Sequence, residues 1–323
     1  MIGAPIGVLV MAYGTASGPE DVERYYTNIR GGRPPTPRHL EELRSRYAAI
    51  GNRFPLLDIT RRQAEGLERS LNAVGGEAFR AYLGMKHSPP SIPEAVERMR
   101  EDGIERAIGI VMAPHWSGMS VETYAERVRE AVGDDPPAFT FVRSYHDHPA
   151  FVELLAGRVA HALGLLGPAE REKAAVIFSA HSLPVRTRED GSLRCTHCAM
   201  CEDSCRYRDG LQETADLVAR ELELVHHTIA WQSAGRTADP WWGPPIEDVI
   251  LQLAEDGHPA VVVCSAGFVA DHLEILYDLD IVARRVAEHA GIRLLRTTMP
   301  NADPAFVELL AAVVREQLAS LPA

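Results

Sequence analysis

Two stretches of the chain carry residues able to handle a metal ion and protons together. The apolar run Ala174 to Phe178 ends in Ser179-Ala180-His181-Ser182-Leu183-Pro184. That pattern reads as a buried parallel strand stopping at its carboxyl end, where ligands bind in open α/β sheets. The run Ala260 to Cys264 leads through Ser265-Ala266-Gly267-Phe268 to a helix start bearing Glu274. An imidazole and a carboxylate make a mixed nitrogen and oxygen site suited to a divalent first-row metal. The same pair can accept protons near neutral pH. His181 and Glu274 are therefore expected to converge in one cleft. His272 is two residues before Glu274, so helical spacing turns it elsewhere and makes it structural.

A second constellation is local. Cys195, Cys198, Cys201 and Cys205 follow the x2, x2, x3 spacing of bacterial ferredoxin cluster loops, with Arg206 where those loops carry proline. Four thiolates so placed can hold an iron-sulfur cluster or tetrahedral zinc. His197 inside the loop is a substitute ligand. Cys264, in an apolar run, reads as an inert core thiol.

Other residues have a plain reading and a functional one. Tyr13 ends the first apolar run, as a core aromatic or as a phenol aimed into the cleft. Arg30 and Arg46 are surface helix residues or carboxylate forks. Trp231, Trp241 and Trp242 gather with Gln232, Ser233, Gly235, Asp239 and Pro240, mainly as packing, with the loop touching the cleft.

Alternating strands and helices must position these groups. Strands are expected at Ile6 to Ala12, Phe79 to Met85, Arg106 to Ala113 and Phe139 to Tyr145, separated by helices such as Glu20 to Ile29, Thr60 to Leu71 and Ser120 to Val132. The second half repeats the plan, with strands at Ala174 to Phe178, His227 to Gln232, Ala260 to Cys264 and Arg293 to Thr297. Asp271 to His289 is expected to be mostly helix. The fold class is α/β, with a parallel sheet flanked by helices in each half. The domains are 1–165 and 166–323, the second containing 195–205, with the last helix free to pack back on the first domain. Laying Met11-Ala12-Tyr13 over Ser179-Ala180-His181 suggests pseudo-symmetry. Tyr13 and His181 would then face one cleft from opposite walls.

The totals bound the partners. The 323 residues carry a net charge of −12, which disfavours nucleic acid and anionic membranes. No apolar run approaches a membrane span, and the start lacks a signal peptide's basic and cleavage regions. A cytoplasmic protein is expected, and clustered cysteines there suggest metal rather than disulfides.

The chain resembles the ferrochelatases, specifically the coproporphyrin type. The resemblance runs from Leu9-Val10-Met11-Ala12-Tyr13-Gly14-Thr15 to Met299-Pro300-Asn301. It includes Tyr25-Tyr26-Thr27-Asn28-Ile29-Arg30, Arg46-Tyr47, Ser179 to Pro184, Trp231-Gln232-Ser233 and Gly267 to Glu274. It implies two Rossmann-like, chelatase-type domains, each a parallel sheet flanked by helices, with a cleft between them, and insertion of Fe2+ into a porphyrin, here coproporphyrin III, in haem synthesis. The alternatives are protoporphyrin IX as substrate, a cobalt or nickel chelatase of a sirohydrochlorin-type ring, and a non-catalytic tetrapyrrole carrier or iron-sulfur sensor. His181 and Glu274 match the family's metal-binding and proton-accepting pair. Tyr13, Arg30, Arg46, Tyr47 and Tyr124 match substrate-lining positions. Phe54 departs from a usual serine, and Val282 from a frequent acid, while Asp278 is kept. The resemblance also implies a [2Fe-2S] cluster on Cys195, Cys198, Cys201 and Cys205, where spacing alone leaves [4Fe-4S] or zinc open. A monomer meeting other haem-pathway enzymes is expected.

Overall fold

The computed structural model describes residues 4–187, 189, 191, 193–195, 205–235 and 237–321. Strand β1 (Ile6–Ala12) is buried at every position. Such an unbroken apolar run belongs in a parallel sheet covered on both faces. A short 3₁₀ turn (Pro19–Asp21) and α1 (Val22–Ile29), α2 (Pro37–Ala49) and α3 (Leu56–Ala73) precede β2 (Phe79–Met85). Then come α4 (Ile92–Glu101), β3 (Arg106–Val111), α5 (Val121–Val132), β4 (Ala138–Val142) and α6 (Pro149–Gly164). Helix α4 begins where sequence chemistry dictates: Ser91 and Glu94 form a reciprocal capping box.

The second half holds α7 (Pro168–Glu172), β5 (Ala175–His181), β6 (Val185–Thr187), β7 (Leu193–Cys195), α8 (Arg206–Glu221), β8 (His227–Gln232), α9 (Ile246–Glu255) and β9 (Ala260–Cys264). A π-helical segment (Ile275–Ala283), α10 (Arg284–Ala290), β10 (Arg293–Arg296) and α11 (Pro304–Leu318) follow.

The sheets are ordered β2-β1-β3-β4 and β10-β9-β5-β8, and every neighbour within them is parallel. Numbering the strands of each sheet by appearance, the first reads second, first, third, fourth from its β2 edge and the second reads the same from its β8 edge. Strands β1 and β5 are thus topological equivalents, and Tyr13 and His181 stand at their carboxyl ends. The sheets are joined by more than chain. Helix α6 packs on α8 and β9, and α11 packs on α3, α6, β3 and β4. The buried Gln63 amide donates to the carbonyls of Val269 (3.2 Å) and Asn301 (2.8 Å).

Three local features differ from the sequence expectation. Strand β5 continues past Phe178 to His181, because β8 pairs with it as far as His181 opposite Gln232. The antiparallel hairpin β6–β7, too short for a periodic signal, sets Cys195 opposite Val185. The expected plain helix after Asp271 instead opens at Leu273 and widens into a π-helix, with Ile275, Leu279 and Ala283 buried on one side. Such segments concentrate at functional sites. Among the described residues, no helix is long and apolar enough to cross a membrane.

Candidate active site

His181 and Glu274 meet. His181 Nε2 lies 3.5 Å from Glu274 Oε1, and both side chains keep about a third of their surface exposed, at 31% and 33%. His181 Nδ1 closes on the Ser182 carbonyl oxygen, which fixes the ring and turns Nε2 outward. Burial alone would push the imidazole down, but the Glu274 carboxylate outweighs it, and the net shift is upward. Burial would likewise raise Glu274, yet His181 and His272 hold it well below the usual carboxylate range. The carboxylate thus favours the protonated imidazole, so an arriving cation competes with a proton at this pair.

His272 belongs to this site, contrary to the sequence reading. Its Nε2 lies 3.5 Å from the other oxygen, Oε2, of Glu274. Nδ1 is held by the Ala270 carbonyl at 2.9 Å, and Phe268 packs on the ring at 4.8 Å. Helical spacing did not apply, because Asp271 and His272 precede the helix.

The π-helical segment carries the next acid. Asp278 accepts a short hydrogen bond from Ser233 Oγ and lies 3.9 Å from Arg46 Nη1. Burial, then the Glu274 charge, raises Asp278 to about 6. Arg46 also stacks 5.2 Å over the Tyr277 ring. Arg30 caps α1, exposed, 6.0 Å from the Tyr26 ring.

Tyr13 projects from the end of β1, 45% exposed, its ring 4.6 Å from that of His87. Enclosure first, then the Glu274 charge, pushes its phenol upward, so it is protonated at neutral pH. His87, bonded to Asn28 Oδ1 at 2.8 Å, is pushed down to about 3 by burial and the nearby Arg127 and Lys86. Tyr124 is buried beneath Lys86, and Tyr47 is buried against Phe54 at 4.4 Å. At Phe54 the aromatic ring thus fills space rather than offering a hydroxyl.

Trp231 and Trp242 are buried and stack at 6.0 Å, whereas Trp241 turns toward His181, 6.4 Å between centroids. Below them, the Ser179 and Ser265 hydroxyls both donate to Gln232 Oε1, at 2.9 and 3.2 Å. This network was invisible in sequence because it joins three strand ends.

Of the cysteine run, Cys198 and Cys201 lie outside the described residues, as does His197. Cys195 and Cys205 are buried with sulfurs 3.3 Å apart. Trp242 Nε1 donates to Cys195 Sγ at 3.4 Å. The hydrogen bond from Cys195 lowers Cys205 to about 6 against the opposing effect of burial. Two sulfurs at ~2.3 Å from one tetrahedral metal stand about 3.8 Å apart, so this buried pair needs only a slight opening to share one. Burial pushes Cys264 up to about 12, as suits an inert core thiol.

Two parallel sheets of one topology, with a histidine ending one strand and a carboxylate on the helix start that follows its neighbour, define a chelatase-type architecture. Solved chelatase structures share the fold. The sirohydrochlorin chelatase SirB from Bacillus subtilis subspecies spizizenii, in complex with cobalt, superposes with a TM-score of 0.57 at 8% identity, covering 97% of this chain and 94% of that one. CbiX, described as the terminal enzyme for siroheme biosynthesis in denitrifying bacteria, gives 0.52 at 13%, covering 96% and 98%. Sequence similarity narrows the class. The Ferrochelatase family profile matches residues 5–318, and the chain belongs to that family. The coproporphyrin III ferrochelatase of Anoxybacillus flavithermus is 46% identical over 316 residues, covering 97% of this chain and 96% of the relative. The enzyme of the same name from Bacillus subtilis is 43% identical, covering 97% and 98%.

Proposed function

We propose that the protein inserts Fe2+ into coproporphyrin III, releasing two protons, as a step of haem biosynthesis. The observation that carries this is the His181–Glu274 pair at 3.5 Å, set at the carboxyl ends of the second sheet and facing Tyr13. The names of the relatives, matched over nearly the whole chain, supply the substrate.

Insertion needs the pyrrole N–H protons removed and the flat ring bent so that nitrogen lone pairs become accessible. Binding energy from the ring's periphery can be spent on that bend. Arg30 and Arg46 anchor carboxylates, and Tyr47 and Tyr124 line the ring's place. Tyr13 addresses the metal from one face. On the other face Glu274 holds the incoming Fe2+ by charge, and His181 takes protons from the pyrroles. Because these two groups titrate as a pair, proton acceptance belongs to both.

The cysteine segment is read as a resident [2Fe-2S] cluster held by Cys195, Cys198, Cys201 and Cys205. The buried Cys195–Cys205 pair supports a thiolate metal site. Such a cluster would supply one-electron redox chemistry, which metal insertion does not use, so its role is structural or sensing. The proposed division is 1–165 and 166–323, with the cleft between. A cytoplasmic monomer that exchanges iron and product with other haem-pathway proteins completes the reading.

The test is direct: the full chain is given Fe2+ with coproporphyrin III or protoporphyrin IX under anaerobic conditions. Faster turnover of coproporphyrin III is expected. Turnover only with a sirohydrochlorin-type ring, or with none, would overturn the proposal.

A further inference from the structure

Among the described residues, two cations on the first sheet's side of the cleft lack a carboxylate. Lys86 leaves β2 with its N–H on the Ala12 carbonyl, and the next N–H, of His87, on the Tyr13 carbonyl, both at 2.9 Å. This lays the segment along Tyr13. The Lys86 ammonium donates to Thr123 Oγ1 and lies 4.9 Å from the Tyr124 ring centroid. Arg127, three residues beyond Tyr124 on α5, donates through Nη1 to the Lys86 carbonyl. Both side chains are half-buried.

Elsewhere most half-buried arginines among the described residues meet a carboxylate, while Arg315 donates to the Ser70 carbonyl. Arg296 pairs with Asp271 and Asp280, Arg158 with Asp303, and Arg46 with Asp278. Neither Lys86 nor Arg127 makes an ion pair with any described residue. The groups around them are the Tyr13 and Tyr124 phenols, neutral His87, the Thr123 hydroxyl and the Glu126 carboxylate, which acts only at longer range. Like charges held together at low exposure are costly unless an anion joins them. Burial first, and Arg127 second, already draw Lys86 down to about 8.

We propose that Lys86 and Arg127 form an anion subsite that takes one side-chain carboxylate of the porphyrin, separate from Arg30 and Arg46. This rests on the porphyrin reading above. A guanidinium fork and an ammonium beside it suit a carboxylate. The subsite also sets specificity: a ring with four carboxylates can fill it while still engaging Arg30 and Arg46, whereas a ring with two must leave some cations unmatched.

The experiment titrates metal-free coproporphyrin III and protoporphyrin IX into full-length wild type, Arg127→Gln, Lys86→Gln and Arg127→Lys, reading tryptophan fluorescence quenching. Each glutamine variant is expected to weaken coproporphyrin III by about tenfold, leave protoporphyrin IX nearly unchanged, and flatten the salt dependence of binding. Arg127→Lys restores most of the affinity. Unchanged coproporphyrin III affinity in both glutamine variants overturns the subsite. So does an equal loss for both porphyrins, which marks general support of the cleft. Wild type that binds neither porphyrin defeats the function reading itself, a result distinguishable from the other two.

Discussion

Glu274 Oε1 stands 3.5 Å from His181 Nε2, between two residues brought together by the adjacency of β5 and β9. The first prediction follows from the geometry: His181→Ala should leave coproporphyrin III binding within about twofold while lowering kcat by at least ~100-fold, the usual scale for losing a positioned proton acceptor. Stopped-flow insertion and fluorescence titration measure the two separately. Turnover near the wild-type rate would remove His181 from the chemistry.

The pair also fixes a pH dependence. Glu274→Gln removes the charge that raises His181 and leaves burial, which lowers it. If insertion needs neutral His181, the acid limb of the kcat/KM profile should move to lower pH in the variant, even as the plateau falls. An acid limb that stays put or moves up would contradict this. Stability follows the same linkage. The raised imidazole contributes fully below its unfolded value and loses that contribution as pH rises through its folded value. The depressed carboxylate contributes above its unfolded value and loses it as pH falls through its folded value. The mutual stabilisation is therefore largest between about pH 4.3 and 6.5, the unfolded values. Thermal unfolding of wild type and Glu274→Gln across pH 4 to 9 should show the widest gap in that window.

His272 supports the second oxygen of Glu274. His272→Ala should weaken binding of a divalent cation such as Zn2+ by about 10- to 100-fold, the range seen for groups that orient a metal ligand. It should weaken it more at acidic pH, because Glu274 then protonates more readily. Calorimetry at pH 6 and 8 gives both quantities. Equal affinity at both pH values, matching wild type, would return His272 to a packing role.

The fully buried strands were legible because they are unbroken apolar runs, as at Ile6–Ala12 and Ala260–Cys264. Ile6–Ala12, Phe79–Met85, His227–Gln232 and Ala260–Cys264 stand where periodicity placed them. His181 stood out because it sits where such a run stops, and Glu274 because it opens the helix after the next run's glycine turn. What stayed hidden depends on contacts between distant segments. His272 looked structural because the helix start was placed too early by a few residues. The π-helical widening has no sequence signature, since Ile275, Leu279 and Ala283 suit an ordinary helix equally well. The Lys86–Arg127 contact needs β2 and α5 in register. The β6–β7 hairpin is shorter than any periodic window, yet it is what delivers Cys195 to Cys205.

For the cysteine segment, the purified chain should show visible absorption that bleaches with dithionite, together with bound iron and acid-labile sulfide. Cys205→Ser should abolish both signals while costing far less kcat than His181→Ala. Zinc alone at these cysteines would reject the iron-sulfur assignment.

The end of β5 rests on a close approach that only glycine allows. Gly267 N–H donates to the Ser179 carbonyl at 3.0 Å. A Cβ at Gly267 would lie 2.4 Å from Ala180 Cβ and 2.8 Å from its Cα. The clash meets strand backbone, not a flexible side chain, so β5 must shift just before His181. Gly267→Ala should cost about 1–3 kcal/mol of stability. A displacement of roughly 1 Å at His181 should cost about 100-fold in rate. Gly157→Ala is the control, since nothing stands within 4 Å of a Cβ there and the site lies inside α6. It should be neutral or stabilising by up to about 1 kcal/mol. Differential scanning calorimetry and insertion rates on both variants decide the matter: if Gly267→Ala behaves like Gly157→Ala, the carboxyl end of β5 is not held by this approach.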